Sequence, residues 1–288
     1  MNPTVGRLLE DAARNLAAVA APVEARREAQ VLLGHAMGVS RAWLSAYCDD
    51  AVDPSAANTF RELVRRRQVG EPVAYLIGTR EFYGIEFRVT PAVLIPRADT
   101  ETLVDAALEK LLEGAQPDVL DLGTGSGCVA LTIAHERPEA RVTAVDVSAA
   151  ALIVARENAA SIGVNAEFVQ GAWFEELDGR KFDLIVSNPP YVAAGDPHLQ
   201  QGDLRFEPAT ALASGGDGLA DIRLIVADAP AYLREGGWLL FEHGYEQADV
   251  CRDLLLDAGF GEVISRADIA GLHRVAGGRL LTSKSPNR

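Results

Sequence analysis

Between residues 119 and 136 an apolar run, a cluster of glycines and a helical stretch follow one another without a break, and few folds accept that succession. Val119-Leu120-Asp121-Leu122 reads as an apolar strand, Gly123-Thr124-Gly125-Ser126-Gly127 as a tight turn, and the run from Cys128 to Glu136 as a helix. A strand feeding a glycine-rich turn and then a helix is the nucleotide-binding start of a doubly wound α/β domain. Glycine serves there because it lets backbone approach a ligand closely and takes φ > 0 without steric cost. The spacing Gly-x-Gly-x-Gly differs from the Gly-x-Gly-x-x-Gly of dinucleotide enzymes, and no Gly-Lys-Ser/Thr follows, which weighs against nicotinamide and P-loop readings.

Arg141-Val142-Thr143-Ala144-Val145 predicts the next strand, and it ends in Asp146, about 23 residues beyond Gly123. An acidic residue at that place in a Rossmann-like crevice bonds ribose hydroxyls. Asp146 also suits the N-cap of a helix over residues 149–160, although Ser148 is the better cap. Phe168-Val169-Gln170 then leads into a loop carrying Trp173, which either stacks on a purine or fills the core.

A second motif narrows the chemistry. Phe182-Asp183-Leu184-Ile185-Val186-Ser187 reads as a buried strand and runs directly into Asn188-Pro189-Pro190-Tyr191. Proline locks its own φ and restricts the residue before it, so the Asn188 and Pro189 oxygens point in set directions. Two fixed acceptors suit a planar –NH₂ with two hydrogens to give, found on adenine, cytosine and the carboxamide of glutamine. A proline-stiffened turn capping a strand is the bland alternative for Pro-Pro alone.

In this order, glycine loop, acidic strand end, aromatic loop and Asn-Pro-Pro-Tyr resemble the S-adenosylmethionine-dependent methyltransferases acting on planar nitrogen. Upstream, the runs Phe82-Tyr83-Gly84-Ile85-Glu86-Phe87-Arg88-Val89 and Val93-Leu94-Ile95-Pro96-Arg97-Ala98-Asp99-Thr100-Glu101 resemble the linker hairpin of the protein-(glutamine-N(5)) methyltransferases. More narrowly they look like the HemK/PrmC family, which modifies peptide-chain release factors. The resemblance spans nearly the whole chain. It implies S-adenosyl-L-methionine as cofactor, held by Gly123, Thr124, Gly125, Ser126, Gly127, Asp146, Trp173 and Asn188. It also implies catalysis by Asn188, Pro189 and Tyr191, substrate binding by Asn188, Pro189, Pro190 and Tyr191, and a glutamine in a Gly-Gly-Gln loop as acceptor. Two positions depart from the family pattern: Ala98 replaces a second proline, and Gly171-Ala172-Trp173 carries no acid before the aromatic. Contact to the adenine amino group would then fall to stacking or backbone. Methylation of a glutamine in a ribosomal protein is the neighbouring alternative, and N(6)-adenine methylation of nucleic acid a more distant one. A binding module that keeps the fold without catalysis is disfavoured by the intact motifs.

Charge and organisation agree with this expectation. Residues 1–75 carry 9 basic and 9 acidic side chains, so the whole formal charge of −14 falls on the remainder. An acidic domain repels a phosphate backbone, and direct nucleic-acid binding is not expected. Arg61, Arg65, Arg66 and Arg67 form a local basic patch, either a solvated helix face or a docking point for an acidic partner. Cys48, Cys128 and Cys251 are far apart and the five histidines are scattered, so no metal site is expected. The absence of a long apolar run and of a signal-like start points to a cytoplasmic protein without a membrane partner.

Helical periodicity over residues 7–19, 23–37, 40–46 and 54–68 predicts a small bundle, and 72–96 reads as a hairpin. Helices are expected at 100–113, 218–233 and 246–258, strands at 238–242 and 261–265, and a last strand pair across 272–282, before a frayed tail at 283–288. The expected fold class is α/β: a Rossmann-like methyltransferase domain over 99–288, preceded by a helical substrate-docking domain (1–71) and a β-hairpin linker (72–98).

Overall fold

The computed structural model describes residues 2–112 and 114–281, so the expected tail at 283–288 lies outside it. The chain divides into two compact units, one comprising residues up to Thr79 together with Gln200–Phe206, the other the rest.

The first unit is helical. Helices α1 (Val5–Leu16), α2 (Pro22–Met37), α3 (Arg41–Ala46) and α4 (Pro54–Gln68) begin where local chemistry tells them to. Thr4, Ser40 and Asp53 accept from backbone N–H groups of the first turns of α1, α3 and α4, and proline opens α2 and α4. Their apolar stripes close on a core of Val5, Leu16, Leu32, Leu33, Leu44 and Phe60. The short helix α5 (Val73–Ile77) adds Leu76 to that core, so the region expected as hairpin starts instead with a helical turn, stopped by Gly78 at φ 79°. Within the basic patch Arg61 and Arg65 are exposed, as on a solvated helix face, while Arg67 is not. Arg67 is buried, forks onto both carboxylate oxygens of Glu28 at 2.9 Å and donates to Asp203 at 2.9 Å. Arg65 pairs with Glu62 and Arg66 with Glu71.

In the second unit the hairpin shrinks to β1 (Thr79–Phe82), whose first residue belongs to the helical unit, and β2 (Ile85–Arg88). There follow α6 (Glu101–Lys110), β3 (Asp118–Leu122), α7 (Cys128–Glu136), β4 (Arg141–Asp146), α8 (Ala149–Ile162), β5 (Glu167–Gln170) and β6 (Phe182–Ser187). The order ends with α9 (Ala220–Tyr232), β7 (Leu233–Glu242), α10 (Ala248–Asp257), β8 (Phe260–Ala267) and β9 (His273–Leu280). Seven strands form one sheet in the order β5-β4-β3-β6-β7-β9-β8, parallel through β7 and antiparallel at β9. Adjacent residues alternate between two cores, as the strand period of two requires. Val119, Leu184 and Val186 face a core shared with α6, α7 and α8, while Leu120, Leu122 and Ile185 face the one shared with α9 and α10. This is the doubly wound, Rossmann-like α/β arrangement expected.

One expectation fails at the sheet edge. Residues 273–280 form one strand, not a pair, and its partners are β7 and β8. Gly277 and Gly278 sit inside that strand: a Cβ on Gly277 would come within 2.3 Å of a Leu240 side-chain atom, so the glycine marks a close approach rather than a turn.

Asn158, 1% exposed, ties three parts of this unit together. Its Oδ1 accepts from Arg88 N at 2.7 Å, and its Nδ2 donates to the carbonyls of Arg88 at 3.0 Å and Ser126 at 2.8 Å. Asn158→Ala strands these buried backbone groups, and a loss of about 2–3 kcal/mol of unfolding free energy is expected in urea titration. A midpoint unchanged from wild type would show that the hairpin and glycine loop are held otherwise.

Candidate active site

All five parallel strands end on one edge of the sheet, and the functional side chains stand there because parallel strands share their polarity. The registers place Leu122 beside Val145 and Ser187, Asp146 beside Gln170, and Ser187 beside Phe241. Each strand therefore delivers its next residues to the same crevice: the glycine loop after β3, Asp146 closing β4, Trp173 after β5, Asn188 after β6 and Glu242 closing β7. Ser187 Oγ donates to the Leu122 carbonyl at 2.8 Å and locks the central pair in step.

A cavity of about 300 Å³ opens at this edge. Gly123, Thr124, Gly125, Ser126, Asp146, Trp173, Asn188 and Pro190 line it, whereas Gly127, Pro189 and Tyr191 do not. Gly127 precedes α7 and packs next to Leu131 and Ala155. The Tyr191 hydroxyl turns inward and donates to Glu242 Oε1 at 2.9 Å, and burial followed by that carboxylate pushes its pKa up. Trp173 holds φ 52°, a left-handed conformation for a bulky residue, and sets its ring 3.5 Å from where a Cβ on Gly123 would stand.

Asp146 accepts from Gly125 N through Oδ2 and from Ser148 N through Oδ1, both at 2.8 Å, leaving each oxygen a further lone pair. Burial raises its pKa against the pull of those two amides. Ser148 Oγ caps α8 by accepting from Ala151 N, so the acid is spared that duty. Deeper in the cavity, burial pushes Asp121 up to about 7 although Thr124 Oγ1 donates to it at 2.7 Å. Among the described residues Ser126 Oγ, which is buried, has no hydrogen-bond partner. Polar groups with spare capacity, an indole wall and small residues at Ala151 and Ala172 fit an adenosine-bearing ligand.

Several contributors were not singled out from sequence. Asn188 Nδ2 donates to Thr100 Oγ1 at 3.1 Å, and the buried Thr100 hydroxyl helps hold the neighbouring Glu242 ionised. Glu242, 1% exposed, is nonetheless pushed up to about 7 by burial. Glu207, also buried, accepts from Ile95 N at 3.0 Å and from the Arg97 guanidinium, which holds the cavity-lining stretches 92–97 and 208–211 in place. Asp121, Arg97 and Thr100 stood inside motifs already noticed, and Glu242 repeats the signal of Asp146, an acid terminating an apolar strand. Glu207 left no local trace. Among the described residues no cluster of three metal-ligating side chains occurs, and no helix is long and apolar enough to cross a membrane.

Two family models match the chain: the methyltransferase small domain over residues 99–220 and the PrmC N-terminal domain over 7–78. A release factor glutamine methyltransferase of Xylella fastidiosa is 52% identical over 88% of this chain and 93% of its own length. One from Burkholderia pseudomallei is 52% identical over 91% and 94%, and one from Vibrio cholerae 47% identical over 89% and 90%. Among solved structures, a Pyrococcus furiosus methyltransferase superposes with TM-score 0.52 at 17% identity, over 78% of this chain and all of that one. A T. thermophilus 16S rRNA methyltransferase in complex with AdoMet and guanosine gives 0.51 at 22% identity, over 70% and 49%. At these identities the two structures speak for the fold alone.

Proposed function

Because the chain belongs to the release factor glutamine methyltransferase family, we propose that it methylates the side-chain amide nitrogen of the glutamine in the Gly-Gly-Gln loop of peptide-chain release factors, using S-adenosyl-L-methionine. The observation that carries the site-level reading is the Asn188 amide. Its nitrogen is committed to Thr100, so its oxygen is the group left to accept a hydrogen from a substrate at the cavity. The Pro189 carbonyl, fixed by its own ring and the proline after it, is assigned as the second acceptor on the motif alone, since Pro189 itself does not line the cavity.

A carboxamide nitrogen is a poor nucleophile because its lone pair is shared with the carbonyl. Two acceptors on its hydrogens orient it and favour the positive charge that develops there as the new bond forms. S-adenosylmethionine, when bound, supplies an electrophilic methyl group. Asp146 would hold its ribose hydroxyls, the glycine loop its backbone-facing side, and Trp173 its base. Proton loss can follow transfer, which suits a cavity lined by no histidine. We assign residues 1–71 to substrate docking, 72–98 to a linker and 99–288 to catalysis, so that contacts remote from the glutamine hold the loop in register.

Labelled S-adenosylmethionine offered separately with a release factor, a ribosomal extract and duplex DNA tests the substrate class. Label is expected in the release factor. Label in a ribosomal protein instead, or in DNA, would overturn the assignment in favour of that acceptor.

Two variants test the residues. Asp146→Ala should weaken S-adenosylhomocysteine binding by about 1.5–3 kcal/mol in calorimetry, since charge-assisted bonds to ribose are lost. Unchanged affinity in a folded variant removes Asp146 from the site. Asn188→Ala should lower turnover about 10²-fold or more with a smaller change in cofactor affinity, as for a group acting mainly in the transition state. Near-normal turnover would end the positioning mechanism.

A further inference from the structure

Proline has no N–H to give, so the peptide groups leading into Pro189 and Pro190 cannot be tied down by backbone donation. Whatever holds the segment from Asn188 to Tyr191 has to grip its two ends. The upstream grip is the Asn188 amide on Thr100 Oγ1 and the Ser187 hydroxyl on the Leu122 carbonyl. The downstream grip is on the peptide that joins Tyr191 to Val192, and it takes both polar groups of that peptide. Val192 N donates to the Leu212 carbonyl at 3.0 Å, and the Tyr191 carbonyl accepts from Gln247 Nε2 at 3.1 Å.

Gln247 stands at the N-cap of α10, far from the motif in sequence, and a second bond orients its amide: Oε1 accepts from Gly244 N at 2.8 Å. A backbone N–H needs an acceptor and a carbonyl needs a donor, so only one way of placing the amide serves both partners. The space round the Tyr191 carbonyl is equally closed. Gly218 has φ 77°, and a Cβ there would stand 2.3 Å from the Tyr191 oxygen and 3.0 Å from Gln247 Nε2. A Cβ on Gly244 would stand 3.1 Å from Gln247 Oε1. Two loops thus carry glycine where the glutamine and the carbonyl meet.

We propose that Gln247 is a positioning residue for methyl transfer: by holding the Tyr191 carbonyl it fixes the downstream end of the Asn-Pro-Pro-Tyr segment, and with it the direction of the acceptors that meet the substrate nitrogen. This rests on the reading that the segment meets the substrate amide. Gln247 does not line the cavity, whereas Pro190 does, so the glutamine acts through the backbone it holds. The Pro190 ring locks one of the rotations between the held peptide and the Pro189 carbonyl, and few soft rotations remain to absorb a shift.

The test uses Gln247→Glu, Gln247→Met and Gln247→Ala in the full chain, with labelled S-adenosylmethionine and release factor. Binding-competent enzyme is counted by titration with S-adenosylhomocysteine. Gln247→Glu keeps the shape and an oxygen for Gly244 N, but sets a carboxylate oxygen against the Tyr191 carbonyl. Its turnover per binding-competent enzyme should fall about tenfold or more, with S-adenosylhomocysteine affinity and KM for release factor changed by less than about twofold. Gln247→Met, with neither N–H nor oxygen, should fall in the same way, and it decides the matter if Gln247→Glu does not fold. Lost stability or cofactor binding with unchanged turnover per binding-competent enzyme would make Gln247 a structural support only and overturn the proposal. Wild-type turnover in Gln247→Glu beside a loss in Gln247→Ala would overturn it too, by putting the effect on the Gly244 bond. Asn188→Ala separates the two failures: if that variant is inactive while the Gln247 variants turn over normally, only the role of Gln247 is wrong, and if it is active the acceptor reading falls as well.

Discussion

Parallel strands all point the same way, and the site depends on that constraint before it depends on any side chain. An antiparallel sheet would scatter the residues that follow its strands between two opposite edges. Here five strands empty onto one edge, so loops up to about 120 residues apart in sequence share a crevice no wider than one small ligand. The registers do the rest. With Leu122 level with Val145 and Ser187, the residues that come next have nowhere to go but toward one another. A slip of one residue at β6 would turn Ile185 out of its core and carry Asn188 away from Thr100 in the same stroke.

Burial of polar groups gives this edge its chemistry. Asp121, Asp146 and Glu242 each terminate or nearly terminate an apolar strand, and each has its pKa raised by the loss of water. They differ in what compensates. Asp146 takes two backbone amides, Asp121 a threonine hydroxyl, and Glu242 the hydroxyl of Tyr191. The helical unit uses the same device for a different end. Arg67 is satisfied by Glu28, Asp203 and two carbonyls, and so brings the stretch Gln200–Phe206 into that unit although some 130 residues separate them.

Local signals made most of the fold legible. The glycine turn, the period-two strands and the capping residue Ser148 announced their elements within a few residues, because their physics is local. The clustering of Asp146 and Asn188 around the loop could be read from strand order. What escaped was set by distant partners. Arg67 looks like one of four surface arginines until Glu28 and Asp203 are seen beside it. Gly277 looks like a turn until Leu240 is packed over it. Pro189 and Tyr191 belong to a motif whose composition says nothing of which members face the cavity, and Tyr191 is turned by Glu242, which lies on another strand. Glu207 is intelligible only with Ile95 and Arg97 in view.

The position of β9 carries a consequence for biosynthesis. It is the last of the described strands in chain order yet it lies inside the sheet, between β7 and β8, with Val275 level with Glu242 and Arg274 just beyond. Until those residues leave the ribosome, β7 is a bare edge and its terminal acid lacks both its neighbour strand and its cation. A nascent chain can therefore carry every glycine of the loop and the whole Asn-Pro-Pro-Tyr segment without a finished crevice. The acid that closes β7 thus depends, for its neighbouring strand and its cation, on residues more than thirty positions further along the chain.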